Sequence, residues 1–175
     1  ARLLTGEDVA VKVLRPGVAS TVAVDLDLMD PLMRLLAEQG SDQAAVLHNY
    51  LVGLRAQVAE ELDLRNEALA MEYFRRLFED FELHRLAIPR VYGEFSGRRV
   101  LVMEYFDGAP IDDLAAIEAM GLQPRPFVNE LLQAWVLSGL LASVFHGDIH
   151  AGNLIMLPGG RLGMVDWGIV AGGGE

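Results

Sequence analysis

Five polar side chains capable of chemistry lie close together near the end of the chain. His146-Gly147-Asp148-Ile149-His150-Ala151-Gly152-Asn153 contains four of them, and Val165-Asp166-Trp167-Gly168 adds the fifth. An aspartate, an asparagine five residues on and a second aspartate thirteen residues later are the groups that phosphoryl transfer requires. That reaction depends mainly on positioning and charge neutralisation. One Asp orients or deprotonates the acceptor, while an Asn and another Asp hold Mg²⁺ against the phosphates. Asp148 is thus the candidate catalytic group, with Asn153 and Asp166 the candidate metal ligands. A lone Gly-Asp pair is more often a turn than a site. Here the spacing between Asn153 and Asp166 also fits one apolar β-hairpin. It reads Leu154-Ile155-Met156-Leu157, a turn at Pro158-Gly159-Gly160, then Leu162-Gly163-Met164-Val165.

A second signal lies near the start. Of 14 Lys plus Arg, only Lys12 is a lysine, and it falls in the alternating, β-branched run Val9-Ala10-Val11-Lys12-Val13-Leu14. An Arg-favouring codon bias would explain the composition. A position that needs a compact ammonium on a flexible stem, which a guanidinium fork does not supply, would explain the survivor. Val-Ala-Val-Lys on a strand also matches the kinase strand lysine that pairs with the α- and β-phosphates. Such a lysine needs an anion on a later helix to hold it extended. Glu67, in Glu61-Leu62-Asp63-Leu64-Arg65-Asn66-Glu67-Ala68, is the best placed, although Glu60, Glu61 and Glu67 also suit a solvated face.

The elements that must position these groups follow from periodicity. Val9 to Leu14 reads as a strand ended by Arg15-Pro16-Gly17. Thr21 to Gln39 and Gln43 to Ala59 read as helical segments split at Gly40-Ser41-Asp42, with Pro31 breaking the first. Glu60 to Asp80 carries Leu62, Leu64, Leu69, Met71, Phe74, Leu77 and Phe78 at helical spacing, a core stripe. A hairpin is expected from Arg90 to Phe95 and Arg99 to Tyr105, turning at Ser96-Gly97-Arg98. Asp107-Gly108-Ala109-Pro110 breaks the pattern. Ile111 to Met120 reads as a short helix, and Arg125 to Val144 as a long buried one that delivers the chain to His146. Val102-Met103-Glu104-Tyr105-Phe106 falls where the order of elements puts a kinase hinge, whose backbone groups bond an adenine edge. Met103, Glu104, Tyr105 and Phe106 are therefore candidate cofactor contacts, with Lys12 and Glu67. His146 reads as a packing and hydrogen-bonding brace, His48 and His84 as structural or solvated, and His150 is left without a role.

Composition sets outer limits. At 175 residues and 52% hydrophobic, with mean hydropathy +0.28, the chain suits one domain or two small lobes. Its most apolar stretch, Phe127 to Phe145, is interrupted by Asn129, Glu130 and Gln133 and is too short to span a bilayer. A net charge of −11 argues against nucleic acid or an anionic membrane surface as partner. Without cysteine there is no disulfide framework, thiolate nucleophile or zinc knuckle.

Taken together, these motifs resemble the UbiB family of atypical protein-kinase-like proteins, which is linked to coenzyme Q (isoprenoid quinone) biosynthesis. The resemblance rests on Val9 to Gly17, Glu61-Leu62-Asp63 with Glu67, Leu101 to Gly108, Phe145 to Asn153 and Val165 to Gly168. It implies an α+β, two-lobed protein-kinase-like fold, with a helical insertion between the lysine strand and the following helix. Residues 1–106 would form the N-lobe-like part and 107–175 the C-lobe-like part. It implies ATP (or ADP) and Mg²⁺ between them, and an ATP-dependent kinase or ATPase supporting ubiquinone biosynthesis. Partners would be the nucleotide, lipid and quinone-biosynthesis proteins, at a cytoplasmic location or on the inner face of a membrane, attached through segments outside this chain. The family's lysine-glycine-glutamine element and alanine-rich loop are not in the chain, so a fragment, incomplete at both ends, is expected. Small-molecule phosphotransferases of the aminoglycoside- and choline-kinase type share the motifs of residues 146–168, but the first 110 residues fit the UbiB pattern better. An ATP-gated scaffold with little catalysis is the other alternative.

Overall fold

The computed structural model describes residues 1–17, 27–29, 31, 34–35, 46, 48–50, 52–53, 55, 62–141, 144–168 and 170–172. Most of the inserted segment expected from Thr21 to Ala59, including Asp30 where the break before Pro31 is expected, and the acid Glu61 lie outside the described residues.

Alternation gives strand β1 (Val9–Val13), with Val9 buried and Val11 and Val13 exposed. β1 pairs antiparallel with β3 (Val100–Glu104), setting Lys12 opposite Leu101. Between them in sequence runs helix α1 (Leu64–Asp80), which starts where Asp63 accepts the Arg65 N–H. Its buried residues Leu64, Glu67, Met71, Phe74 and Phe78 recur at intervals of three or four, so one face points inward. Leu69, expected in that stripe, is exposed because its position turns to the opposite face.

A second, four-stranded sheet contains β2 (Leu86–Ala87), β4 (Ala109–Pro110), β6 (Leu154–Leu157) and β7 (Arg161–Met164) in the order β2-β7-β6-β4. β6 and β7 form the hairpin read from the sequence, and its turn uses Gly159 and Gly160 at φ +84° and +78°, a region that favours glycine. Short α2 (Leu114–Ala119), capped by Asp113, and α3 (Arg125–Leu141) precede β5 (Val144–His146), which pairs with β8 (Val170–Gly172). One continuous core joins Met71, Phe74 and Phe78 of α1, Leu101 and Met103 of β3, Met156, Leu162 and Met164 of the hairpin, and Trp167.

Three expectations need correction. The first arm of the 90–105 hairpin is a single bridge, Val91 to Met103, followed by a 3₁₀ turn at Gly93–Phe95. Ser96 explains the break, because its Oγ takes the Val102 N–H at 3.0 Å and donates to the Tyr92 carbonyl at 2.8 Å, replacing a partner strand. The Asp107–Pro110 stretch is not wholly irregular, since Ala109 and Pro110 pair with Met156 and Ile155. The long helix is not buried all round. Phe127, Leu131, Ala134 and Ser138 face the core, whereas Val128, Leu132, Trp135, Val136 and Leu140 are exposed. Among the described residues no helix is long and apolar enough to cross a membrane.

Candidate functional site

Strand β1 aims Lys12 across the face of α1, and the inward stripe of α1 aims Glu67 back. Lys12 Nζ lies 2.8 Å from each Glu67 carboxylate oxygen and 3.0 Å from Asp166 Oδ1. Three residues from distant parts of the chain thus meet at one ammonium. Burial by itself would lower the Lys12 pKa, but the two carboxylates outweigh it and hold Lys12 above its ordinary value. Asp166 shows the converse. Its partial burial pushes its pKa up, and the hydrogen bond and charge of Lys12 reverse this, leaving it below the usual carboxylate range. Glu67 is the most buried of the three, and loss of water pushes its carboxyl up despite Lys12.

The loop after Asp166 is locked from behind. The Trp167 N–H donates to Glu67 Oε1 at 3.3 Å, and the indole N–H donates to the Met164 carbonyl at 3.0 Å. The indole packs on Phe74 at 4.7 Å between ring centroids and on His146 at 4.6 Å. The Gly168 N–H closes a turn onto Asp166 Oδ1 at 3.2 Å. Sequence reasoning missed this role of Trp167, although an aromatic set between an apolar strand and glycine was available as a signal.

His146 joins the two halves of the site, which agrees with its reading as a brace. Its Nδ1 accepts the Asp148 N–H at 3.1 Å, and its Nε2–H donates to the Asp166 carbonyl in a short contact. These partners require the neutral ring with its proton on Nε2, and burial holds the His146 pKa below the ordinary value. Asp148 itself is exposed. The Asn153 side chain reaches back to the Asp148 carbonyl through its Nδ2 at 3.3 Å, and the Val165 N–H meets the Asn153 carbonyl at 3.1 Å.

The hinge residues are placed differently. Met103 is buried in the core. The backbone N–H groups of Glu104 and Tyr105 already donate to the carbonyls of Arg90 (2.8 Å) and Asp8 (3.4 Å). Glu104, Tyr105 and Phe106 also line a cavity of about 830 Å³ together with Glu7, Phe78 and Leu83. Lys12, Glu67 and Asp166 do not border that cavity, so the structure does not gather the hinge side chains and the ionic cluster around one hollow. Phe106 has a structural consequence that the sequence did not reveal, since a Cβ on Gly163 would sit 2.5 Å from its ring.

The donor set suits one class of metal. Among the described residues no group of three or more His, Cys, Asp and Glu is arranged to hold an ion without other ligands. Mg²⁺ does not need one, because it takes one or two carboxylates and fills its octahedron with phosphate oxygens and water. The amide oxygen of Asn153 and the carboxylate of Asp166, whose side chain is 43% exposed, are hard ligands of that kind.

Comparison with known proteins agrees with this architecture. The chain is 38% identical over 168 residues to a chloroplastic aarF domain-containing protein kinase of Arabidopsis thaliana, covering 94% of this chain and 31% of that protein. It is 36% identical over 158 residues to a probable protein kinase UbiB of Pseudomonas putida, covering 89% and 29% respectively. Among solved structures, a Mycobacterium tuberculosis protein in complex with erythromycin matches with a TM-score of 0.69 at 30% identity, over 97% of this chain and 41% of that one. The chain therefore spans about a third of the length of these curated relatives. The model of the ABC1 atypical kinase-like domain matches residues 1–173, and the chain belongs to that family.

Proposed function

We propose that this chain forms the nucleotide-handling part of an atypical kinase or ATPase that binds Mg²⁺ and ATP (or ADP) and supports isoprenoid quinone biosynthesis. The observation that supports it most directly is the single lysine held between Glu67 and Asp166. In this reading residues 1–106 and 107–175 are the two lobes. Lys12 neutralises the α- and β-phosphates, and Glu67 keeps its stem extended. Asn153 and Asp166 hold Mg²⁺, which when bound neutralises the phosphate oxygens. The stretch Met103 to Phe106 borders the adenine through backbone groups other than the two N–H donors already engaged. Asp148 orients the acceptor hydroxyl or water and takes its proton. The acceptor oxygen bonds to the γ-phosphorus as the bond to the β-phosphate oxygen breaks and ADP leaves.

The acceptor is proposed to be a lipid-soluble intermediate or a protein of the quinone pathway. Family membership favours this reading over an aminoglycoside- or choline-type phosphotransferase. The test is Mg²⁺-dependent ATP hydrolysis by the full-length protein, with and without lipid vesicles, against Asp148→Asn. Equal rates from the two proteins would remove the catalytic assignment and leave a nucleotide-binding scaffold.

A further inference from the structure

His150 is the one histidine of the catalytic loop with no part in the reading above, and its ring is fixed in an unusual way for an exposed side chain. The backbone at His150 is extended, at φ −142° and ψ 164°, and the side chain caps a 3₁₀ turn over Ala151–Asn153. Nδ1 accepts the Gly152 N–H at 3.1 Å, while the His150 carbonyl takes the Asn153 N–H at 3.0 Å. A Cβ on Gly152 would lie 3.0 Å from both Nδ1 and Cε1, so the imidazole lies directly against that glycine. With Nδ1 used as an acceptor, the proton of the neutral ring resides on Nε2. That nitrogen faces Asp148 Oδ2 at 3.6 Å, with the two side chains 54% and 51% exposed.

A separation of 3.6 Å is beyond a hydrogen bond. Catalytic contacts are commonly long before substrate binds and tighten only in the reacting complex. We infer that His150 is a positioning residue for Asp148. Its Nε2–H closes onto Oδ2 when nucleotide and acceptor fill the site, which turns Oδ1 toward the acceptor proton. This inference rests on the reading of Asp148 as the group that receives that proton. The ring keeps its own proton throughout. The proton of the acceptor goes to Asp148, the acceptor oxygen bonds to the γ-phosphorus, and ADP departs as before.

The competing explanation is that His150 only caps the turn, and two substitutions separate the roles. In H150N the amide can take the place of Nδ1 and keep the cap, but nothing reaches the position of Nε2. In H150Q the amide reaches the position of Nε2 but cannot cap. In the full-length protein, Mg²⁺-ATP turnover and thermal midpoint are measured for both. H150N is expected to keep the midpoint and the KM for ATP while kcat falls about 10- to 100-fold, the scale of a misplaced catalytic group. H150Q is expected to lose midpoint yet keep a higher kcat than H150N. Wild-type kcat in H150N, or activity that follows thermal midpoint across the two variants, would overturn the inference alone. A wild-type protein that shows no turnover would remove the reading of Asp148 and this inference together.

Discussion

Lys12 sits 2.8 Å from Glu67 and 3.0 Å from Asp166, whereas the exposed Asp148 carboxylate, among the described residues, meets only His150, at 3.6 Å. The two halves of one proposed site therefore differ in what holds them. Around Asp166 the charges are anchored by elements that also form the core, and Trp167 serves both purposes through its backbone N–H and its ring. Removing such a group disturbs folding as well as chemistry. Around Asp148 the backbone is held by His146 and the side chain is left open. The difference separates a cluster already fixed by the folded chain from a carboxylate that the fold leaves exposed.

Four experiments test this contrast. The largest effect is expected in the open half, where Asp148→Asn should lower kcat for ATP about 10²- to 10⁴-fold, the usual weight of a positioned acid–base group. Its thermal midpoint should barely move, and a large drop there would erase the distinction between the halves. In the sealed half Trp167→Ala should cost about 3–5 kcal/mol in denaturant unfolding, as for other buried aromatics. A stable variant would show that the ring is not holding the Asp166 loop. Gly163→Ala, in the hairpin linking the halves, should cost about 1–3 kcal/mol because the new methyl meets the Phe106 ring. Unchanged unfolding would mean that the hairpin yields.

The smallest effect is a pH dependence. Burial keeps the folded pKa of His146 below the unfolded value of 6.5, so the unfolded chain takes up a proton there that the folded chain refuses. Its stabilising share is complete above 6.5 and is lost as pH falls from 6.5 through the folded pKa. A thermal midpoint followed from neutral to mildly acidic pH should fall, and His146→Gln should flatten that fall. Asp166 titrates separately. Its pKa is lowered from 3.8, so its share is lost only as pH falls further, through the folded value. Lys12 lies above 10.5, so its share is lost only in strong alkali.

Much of this arrangement is legible in the sequence. The strand around Lys12, the helix through Glu67 and the hairpin between Asn153 and Asp166 all announce themselves through short-range periodicity or turn chemistry. Other features did not. Ser96 ends a strand by satisfying Val102 with a side-chain oxygen, and no alternation pattern records that substitution. Hydrophobicity alone marks the stripes on α1 and α3, yet Leu69 and five apolar residues of α3 are exposed, because hydrophobicity does not specify which face finds a partner. Glu104, Tyr105 and Phe106 line a hollow that Lys12 does not border, since order along the chain says nothing about which side of a strand faces the ions.

Residue types and intervals alone supply the identities of the candidate groups, the spacing of Asp148, Asn153 and Asp166, and the local elements that bear them. Each of those depends on neighbours a few residues away. The order of elements already points Lys12 toward Glu67, but the packed chain was needed to exclude a solvated face for Glu67, to bring Asp166, 154 positions further along, onto the same ammonium, and to let His146 bridge Asp148 to Asp166 in its neutral form. Such contacts have no short-range signature. They exist because one buried core closes over α1, β3 and the hairpin, and that closure sets both the distances between charges and the water left around them.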